Sequence, residues 1–222
     1  MKKLMMNRKT LSGILAAGAL LASGAASAAV CGSAGMTTVG DWAAAGSCTD
    51  ADNDMTFTYG SATIPNTVGG ANTGFDVTET EIGGSDYYDL GLDWHAASGF
   101  PNGYSGGGNL VYSVSPIGSN PQVTGVNFDT VVIGTTSATK TLSDSAGNTL
   151  LTLTSTNGSN APETPLPFYT GALTVTDSFA ATNNGTFLHA DNSFVVPEPS
   201  SILLLGIGLS GLALGRMKQR PS

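Results

Sequence analysis

The sequence predicts an all-β body, a β-sandwich of jelly-roll-like form, between two terminal segments of different composition. Three observations predict it. Short segments rich in β-branched and aromatic residues recur with alternation along the middle of the chain. Clusters of Gly, Asn, Asp and Pro separate them. No segment before Ile202 keeps helical periodicity for three turns. The chain has 222 residues, of which 41% are hydrophobic, enough to build a core. Residues 29–196 show no internal break in composition and are expected to form one domain.

Residues 1–28 read as a signal peptide. A basic segment, Met1 to Thr10, precedes the apolar run Leu11 to Ala22, and Ala26-Ser27-Ala28 offers a small-x-small cleavage site. The run is too short for a stable membrane span, which needs ~20 residues. Cleavage after Ala28 would make Ala29 the new terminus.

Cys31 and Cys48 are the only cysteines. In an oxidising compartment such a pair reads as a disulfide, and no Cys-x-x-Cys spacing suggests a redox or metal role. The bond would pin Trp42 and the new N-terminus to the sheet. The strand candidates then follow in order: Met55 to Tyr59, Tyr87 to Trp94, Leu110 to Val114, Val123 to Ile133, Thr149 to Thr156 and Ala172 to Phe179. Asp144 to Asn148 separates Thr139–Leu142 from Thr149–Leu153 with hairpin-turn chemistry. Gly103 to Asn109 reads as a flexible loop. Asn160 to Pro167 carries three prolines and must be loop or sheet edge, because proline donates no ladder hydrogen bond.

Charge excludes some functions. Four basic residues lie within the first ten positions and three within the last seven. Between Ala29 and Val196 there are fifteen acidic residues and a single lysine, Lys140. So acidic a body has little affinity for nucleic acid, which demands a basic face.

Candidate chemistry is sparse. Asp50, Asp52 and Asp54 alternate like the start of a calcium loop, but Met55 replaces the turn glycine and Ser61 the final glutamate. The stretch reads as a solvated acidic turn, with a looser calcium site as the alternative. Asp86, Asp89 and Asp93 pose the same choice. His95 and His189 are the only histidines, and no Gly-x-Ser-x-Gly elbow or phosphate-binding Gly-x-x-x-x-Gly-Lys occurs. Paired carboxylates of a glycosidase cannot be placed by spacing alone, so a secreted hydrolase is a distant alternative. Tyr87, Tyr88, Trp94 and Tyr104 either stack on sugar rings or fill the core, the commoner fate of such residues. The expectation is a protein without catalytic residues and without a cofactor, calcium excepted.

The C-terminus is more specific. Pro197-Glu198-Pro199 precedes the apolar run Ile202 to Gly215, which precedes a basic tail, Arg216 to Arg220. As a helix the run would be about 21 Å long. The basic tail would stay cytoplasmic by the positive-inside rule, leaving the body outside. Pro197 and Pro199 favour an extended approach. These three parts, residues 197–222, resemble the PEP-CTERM sorting signal of exported bacterial proteins. The resemblance implies removal of the helix by an exosortase after signal peptidase has acted, with transient insertion in the inner membrane. It further implies release or attachment at the cell surface, often beside exopolysaccharide. The expected function is a structural or adhesive surface or matrix protein; the alternative is a calcium-assisted carbohydrate-binding module.

Overall fold

Two strands run far beyond the lengths their sequence patterns predict, and they organise everything else. The computed structural model describes residues 29–65, 72–82, 85–94, 102–117, 122–159, 161–169 and 171–197. The predicted signal peptide and the apolar run after Ile202 lie outside these residues. Among the described residues no helix is long and apolar enough to cross a membrane. In chain order the elements are β1 (Ala29–Val30), α1 (Val39–Ala45), β2 (Ser47–Thr49), β3 (Met55–Ala62), β4 (Gly74–Glu81), β5 (Ser85–Asp93), β6 (Gly108–Pro116), β7 (Val123–Ser143), β8 (Thr149–Thr156), β9 (Ala161–Tyr169) and β10 (Leu173–Pro197).

The 21-residue β7 and the 25-residue β10 pair antiparallel, from Thr174↔Ser143 to Val195↔Gly125. The free edge of each long strand is taken by two partners in succession. β10 pairs with β6 over Leu173–Phe179 and with β5 over His189–Pro197. β7 pairs with β8 over Ser137–Ser143 and with β9 over Val123–Phe128. β3, β2 and β1 continue outward from β6, and β4 continues from β5. The expected all-β class is found. The two layers foreseen as separate sheets are the two halves of one hydrogen-bonded sheet, curled so that one face closes on itself.

The curl has a local cause. Between Thr182 and Thr186 the register shifts, with Asn183 (φ 49°), Asn184 (φ 64°) and, opposite, Gly134 (φ 78°) in the left-handed region. Asparagine and glycine are the residues that tolerate that conformation. Gly185 passes so close to the Thr135 carbonyl that a side chain there would collide with backbone. An irregularity of this kind bends a sheet and increases its twist.

Alternation sends one face of every long strand into the fold. Tyr88, Leu90, Leu92 and Trp94, Leu110, Tyr112 and Val114, and Phe179 and Phe194 are all buried. Rings from opposite halves meet edge to face: Phe57 with Phe194 at 6.3 Å, and Trp94 with Phe179 at 5.2 Å between centroids. Buried aromatic pairs of this geometry add about 0.5–1.5 kcal/mol beyond their area.

One end is closed by α1. The Asp41 amide donates to Thr38 Oγ1 at the helix start, and Gly46 (φ 80°) ends the helix with its N–H on the Trp42 carbonyl. Trp42 is buried, donates to the Phe57 carbonyl at 3.2 Å and stacks on Phe75 at 4.5 Å. The Cys31–Cys48 disulfide is formed, and β1 pairs parallel with β2 beside it. Closing that loop contributes ~3 kcal/mol in the chain-entropy view. The Asp144 turn joins β7 to β8 as expected: its carboxylate accepts from the amides of Ala146 and Asn148 and from Asn148 Nδ2. Those bonds hold the Asp144 carboxyl below its ordinary range. The proline-rich stretch resolves to the edge, because among the described residues β9 pairs with β7 alone and its register is broken.

The crease gives a prediction. Gly185→Val should lower unfolding free energy by about 3 kcal/mol, because the added carbons displace backbone instead of a flexible side chain. Urea unfolding followed by tryptophan fluorescence measures it. An unchanged midpoint would show that the crease is not what bends the sheet.

Candidate functional site

The β2–β3 turn holds the first acidic group. The Asp50 carboxylate, 2% exposed, accepts from the amides of Asp52, Asp54 and Met55 at 3.2, 2.8 and 2.7 Å. Asn53 takes a left-handed conformation (φ 65°) to make this possible. The Asp50 carboxylate is thus engaged by the backbone amides of the turn that follows it, while Asp52 and Asp54 are exposed. Among the described residues no three His, Cys, Asp or Glu side chains are grouped to hold a metal ion.

The second acidic group divides. Asp86 faces Glu81 directly across the β4–β5 ladder and joins Glu79 and the Asp50–Asp54 turn at one end of the fold. Asp89 and Asp93 fall on the opposite face of β5 from the buried Tyr88, Leu90 and Leu92. That outer face also carries His189, whose Nε2 lies 2.8 Å from Asp191 Oδ1. The Asp191 hydrogen bond raises the His189 pKa against the effect of its partial burial. His95 lies outside the described residues.

At the acidic end, partial burial and the charges of Asp52, Asp50, Asp86 and Asp54 push the Glu79 carboxyl up to about 7. Asp54 and Asp86 are raised for the same reasons. The sequence could not show this convergence, because Glu79 lies on a strand that its alternation did not reveal.

The aromatic group is mostly interior. Tyr88 and Trp94 are wholly buried, and Trp94 donates to Thr73 Oγ1 at 3.0 Å. Tyr104 stacks against Trp94 at 6.0 Å and donates to the Gly107 carbonyl at 2.8 Å. Tyr87 is half-buried on the outer face and donates to Glu163 Oε2 at 3.3 Å. The four do not form one exposed platform. The loop expected over Gly103–Asn109 is fastened too, by paired hydrogen bonds of 2.8 Å between Tyr104 and Phe187.

A group that was not singled out as a site lies in the core. Lys140 and Asp177 are direct partners in the β7–β10 ladder, and both are wholly buried. Asn192 is wholly buried on the other half of β10. Each occupies an inward position of a plain alternation: Ala138-x-Lys140-x-Leu142, Val175-x-Asp177-x-Phe179 and Ala190-x-Asn192-x-Phe194. That alternation, together with the isolation of Lys140 as the body's one basic residue, was the available signal.

The last strand carries the remaining candidate. Val195 and Val196 are buried, and Pro197, paired with Ser85, is exposed at the end of β10. Glu198 and Pro199 lie outside the described residues. The family model of the PEP-CTERM protein-sorting motif matches residues 195–219. No curated protein matches the chain. The chain therefore carries a PEP-CTERM sorting motif, which implies export, processing by an exosortase and sorting to the surface. The motif begins inside the final strand of the folded body.

The acidic end fixes the sign of the pH dependence. Glu79, Asp54 and Asp86 have folded pKa values above their unfolded ones, so the native state binds more protons and gains stability as pH falls. His189, also raised, is most stabilising below its unfolded pKa and loses that contribution as pH rises through its folded one. The thermal midpoint should therefore be higher near pH 5 than near about pH 7.5, and Glu79→Gln should shrink the difference. A midpoint that rises with pH over this window would contradict the assignment.

Proposed function

We propose that the chain is an exported, non-enzymatic structural or adhesive protein of the cell surface or extracellular matrix, delivered by exosortase-type sorting beside exopolysaccharide. On this reading residues 1–28 are removed by signal peptidase. The apolar run after Ile202 holds the body at the inner membrane until the Pro197-Glu198-Pro199 segment is processed.

The observation that carries the reading is where the sorting motif joins the fold. It continues from β10, the strand hydrogen-bonded to β7 on one side and to β6 and β5 on the other. A body held by such a strand transmits pull to its central ladder instead of a loosely attached edge. The disulfide suits an oxidising destination. Asp86 sits opposite Val196, so the acidic end surrounds the exit of the tail. Its charge would repel anionic headgroups and keep the processing segment clear of the bilayer. A calcium-assisted carbohydrate-binding role has less beneath it, since Asp50 is engaged by backbone amides and Tyr88 and Trp94 are buried.

Replacing Pro197, Glu198 and Pro199 together by alanine in a host with the sorting protease should leave a full-length, membrane-retained chain. Normal trimming and surface delivery of that variant, read by immunoblot of cell fractions, would overturn the sorting mechanism.

A further inference from the structure

The Lys140 side chain runs from β7 across the core. Its Nζ donates to the Asn127 carbonyl at 3.0 Å and sits 4.3 Å from the Phe194 ring centre and 5.8 Å from that of Phe128. Both rings belong to the facing half of the sheet, and Asn192 is rooted there, directly across the ladder from Phe128. Asp177 faces the Asn192 amide and the Tyr112 hydroxyl, near enough for both to stabilise its charge, yet neither closes a hydrogen bond of standard geometry. Both amide atoms of Asn192, both carboxylate oxygens of Asp177 and Tyr112 Oη are buried without a hydrogen-bond partner. Burying polar atoms in this way is unfavourable. A core that retains an amine, a carboxamide and a carboxyl together, walled by Phe128, Phe194 and Tyr112, calls for a chemical reason.

We propose that Lys140 and Asn192 join in an intramolecular isopeptide bond, with Asp177 as the proton-transferring group. Neutral Lys140 Nζ attacks Asn192 Cγ, and a C–N bond forms as the carbonyl electrons move to Oδ1. The Asp177 carboxyl gives its proton to the developing oxyanion. A proton from Nζ passes through Asp177 to Nδ2, the Cγ–Nδ2 bond breaks, and ammonia leaves. The Oδ1 proton returns to Asp177 as the carbonyl re-forms. One amine and one primary amide become one secondary amide and ammonia; nothing is oxidised or reduced and no co-reactant is consumed.

Burial prepares both reacting states. It lowers the Lys140 pKa and raises that of Asp177, so the pair is drawn toward the uncharged amine and the protonated acid that the reaction uses. Asn192 is the acceptor because Lys140 reaches to the half of the sheet from which Asn192 projects. Asp177 is short and rooted opposite Lys140 on the same half, and consuming it would remove the group that moves the protons. The product replaces a buried charge and open amide atoms by one neutral amide. It also ties β7 to β10 across the curl, just before β10 leaves the fold at Pro197.

The test is the intact mass and tryptic map of the processed full chain purified from its own host. After allowance for terminal trimming and the disulfide, the mass should be lower by one ammonia. Lys140 is the only tryptic site between Ala29 and Val196, so trypsin should leave the reduced, denatured body uncut. Fragmentation after digestion with a different protease should place the cross-link between Lys140 and Asn192. Asn192→Ala and Asp177→Asn should restore the missing mass and the tryptic cut. A wild-type chain of unreduced mass that trypsin cleaves after Lys140 would overturn the proposal, and that result needs no variant to fold. Loss of one water with a cross-link to Asp177 would also overturn it.

Discussion

The antiparallel ladder between β7 and β10 is the constraint on which the rest depends. Among the described residues it is the only strand pairing that runs through both halves of the curled sheet, and β3, β4, β5, β6, β8 and β9 are placed directly or indirectly by it. A ladder this long is not flat. Gly134, Asn183, Asn184 and Gly185 let it fold back, and the apolar face on each side of the crease then has only the other half to bury against. The core is therefore a consequence of bending one sheet, and the aromatic contacts across it are how the bend is held.

The functional features inherit this arrangement. The sorting motif begins in β10, one of the two long strands that each pair with three others, so it joins the body at its central ladder. The disulfide and the capped helix secure the first described strands, β1 and β2. The acidic residues take separate roles: Asp50 shapes a turn, Asp144 shapes a hairpin, and Glu79, Asp86 and Asp54 crowd the end where the tail departs. In the interior, a polar trio of lysine, aspartate and asparagine occupies inward positions of the two longest strands.

Much of this was legible in the residues. The cores of β3, β5, β6 and β8 follow the period-two pattern, and the Asp144 turn announces its hairpin. Cys31 and Cys48 paired as compartment chemistry dictates. The limits of β7 and β10 were not legible, because Gly134 and the Asn183-Asn184-Gly185 run carry turn chemistry, and turn chemistry normally ends a strand. Here the same residues bend a strand that goes on. β4 escaped notice because Asp76, Glu79 and Glu81 interrupt its apolar pattern at an edge. The candidate sites were half visible. The sorting tail was legible through the resemblance of its three ordered parts to the PEP-CTERM signal. The aromatic group could not, since sequence proximity does not say that Tyr88 and Trp94 point inward while Tyr87 points out.

Native-state hydrogen exchange, resolved residue by residue, tests the ladder most directly. If β7 and β10 hold both halves, their amides on either side of Gly134 and Gly185 should be the slowest to exchange and should open together, with one free energy equal to that of global unfolding. Exchange of one half well before the other, with the crease as the boundary, would mean that two separate sheets meet there and that the continuous ladder does not hold the fold.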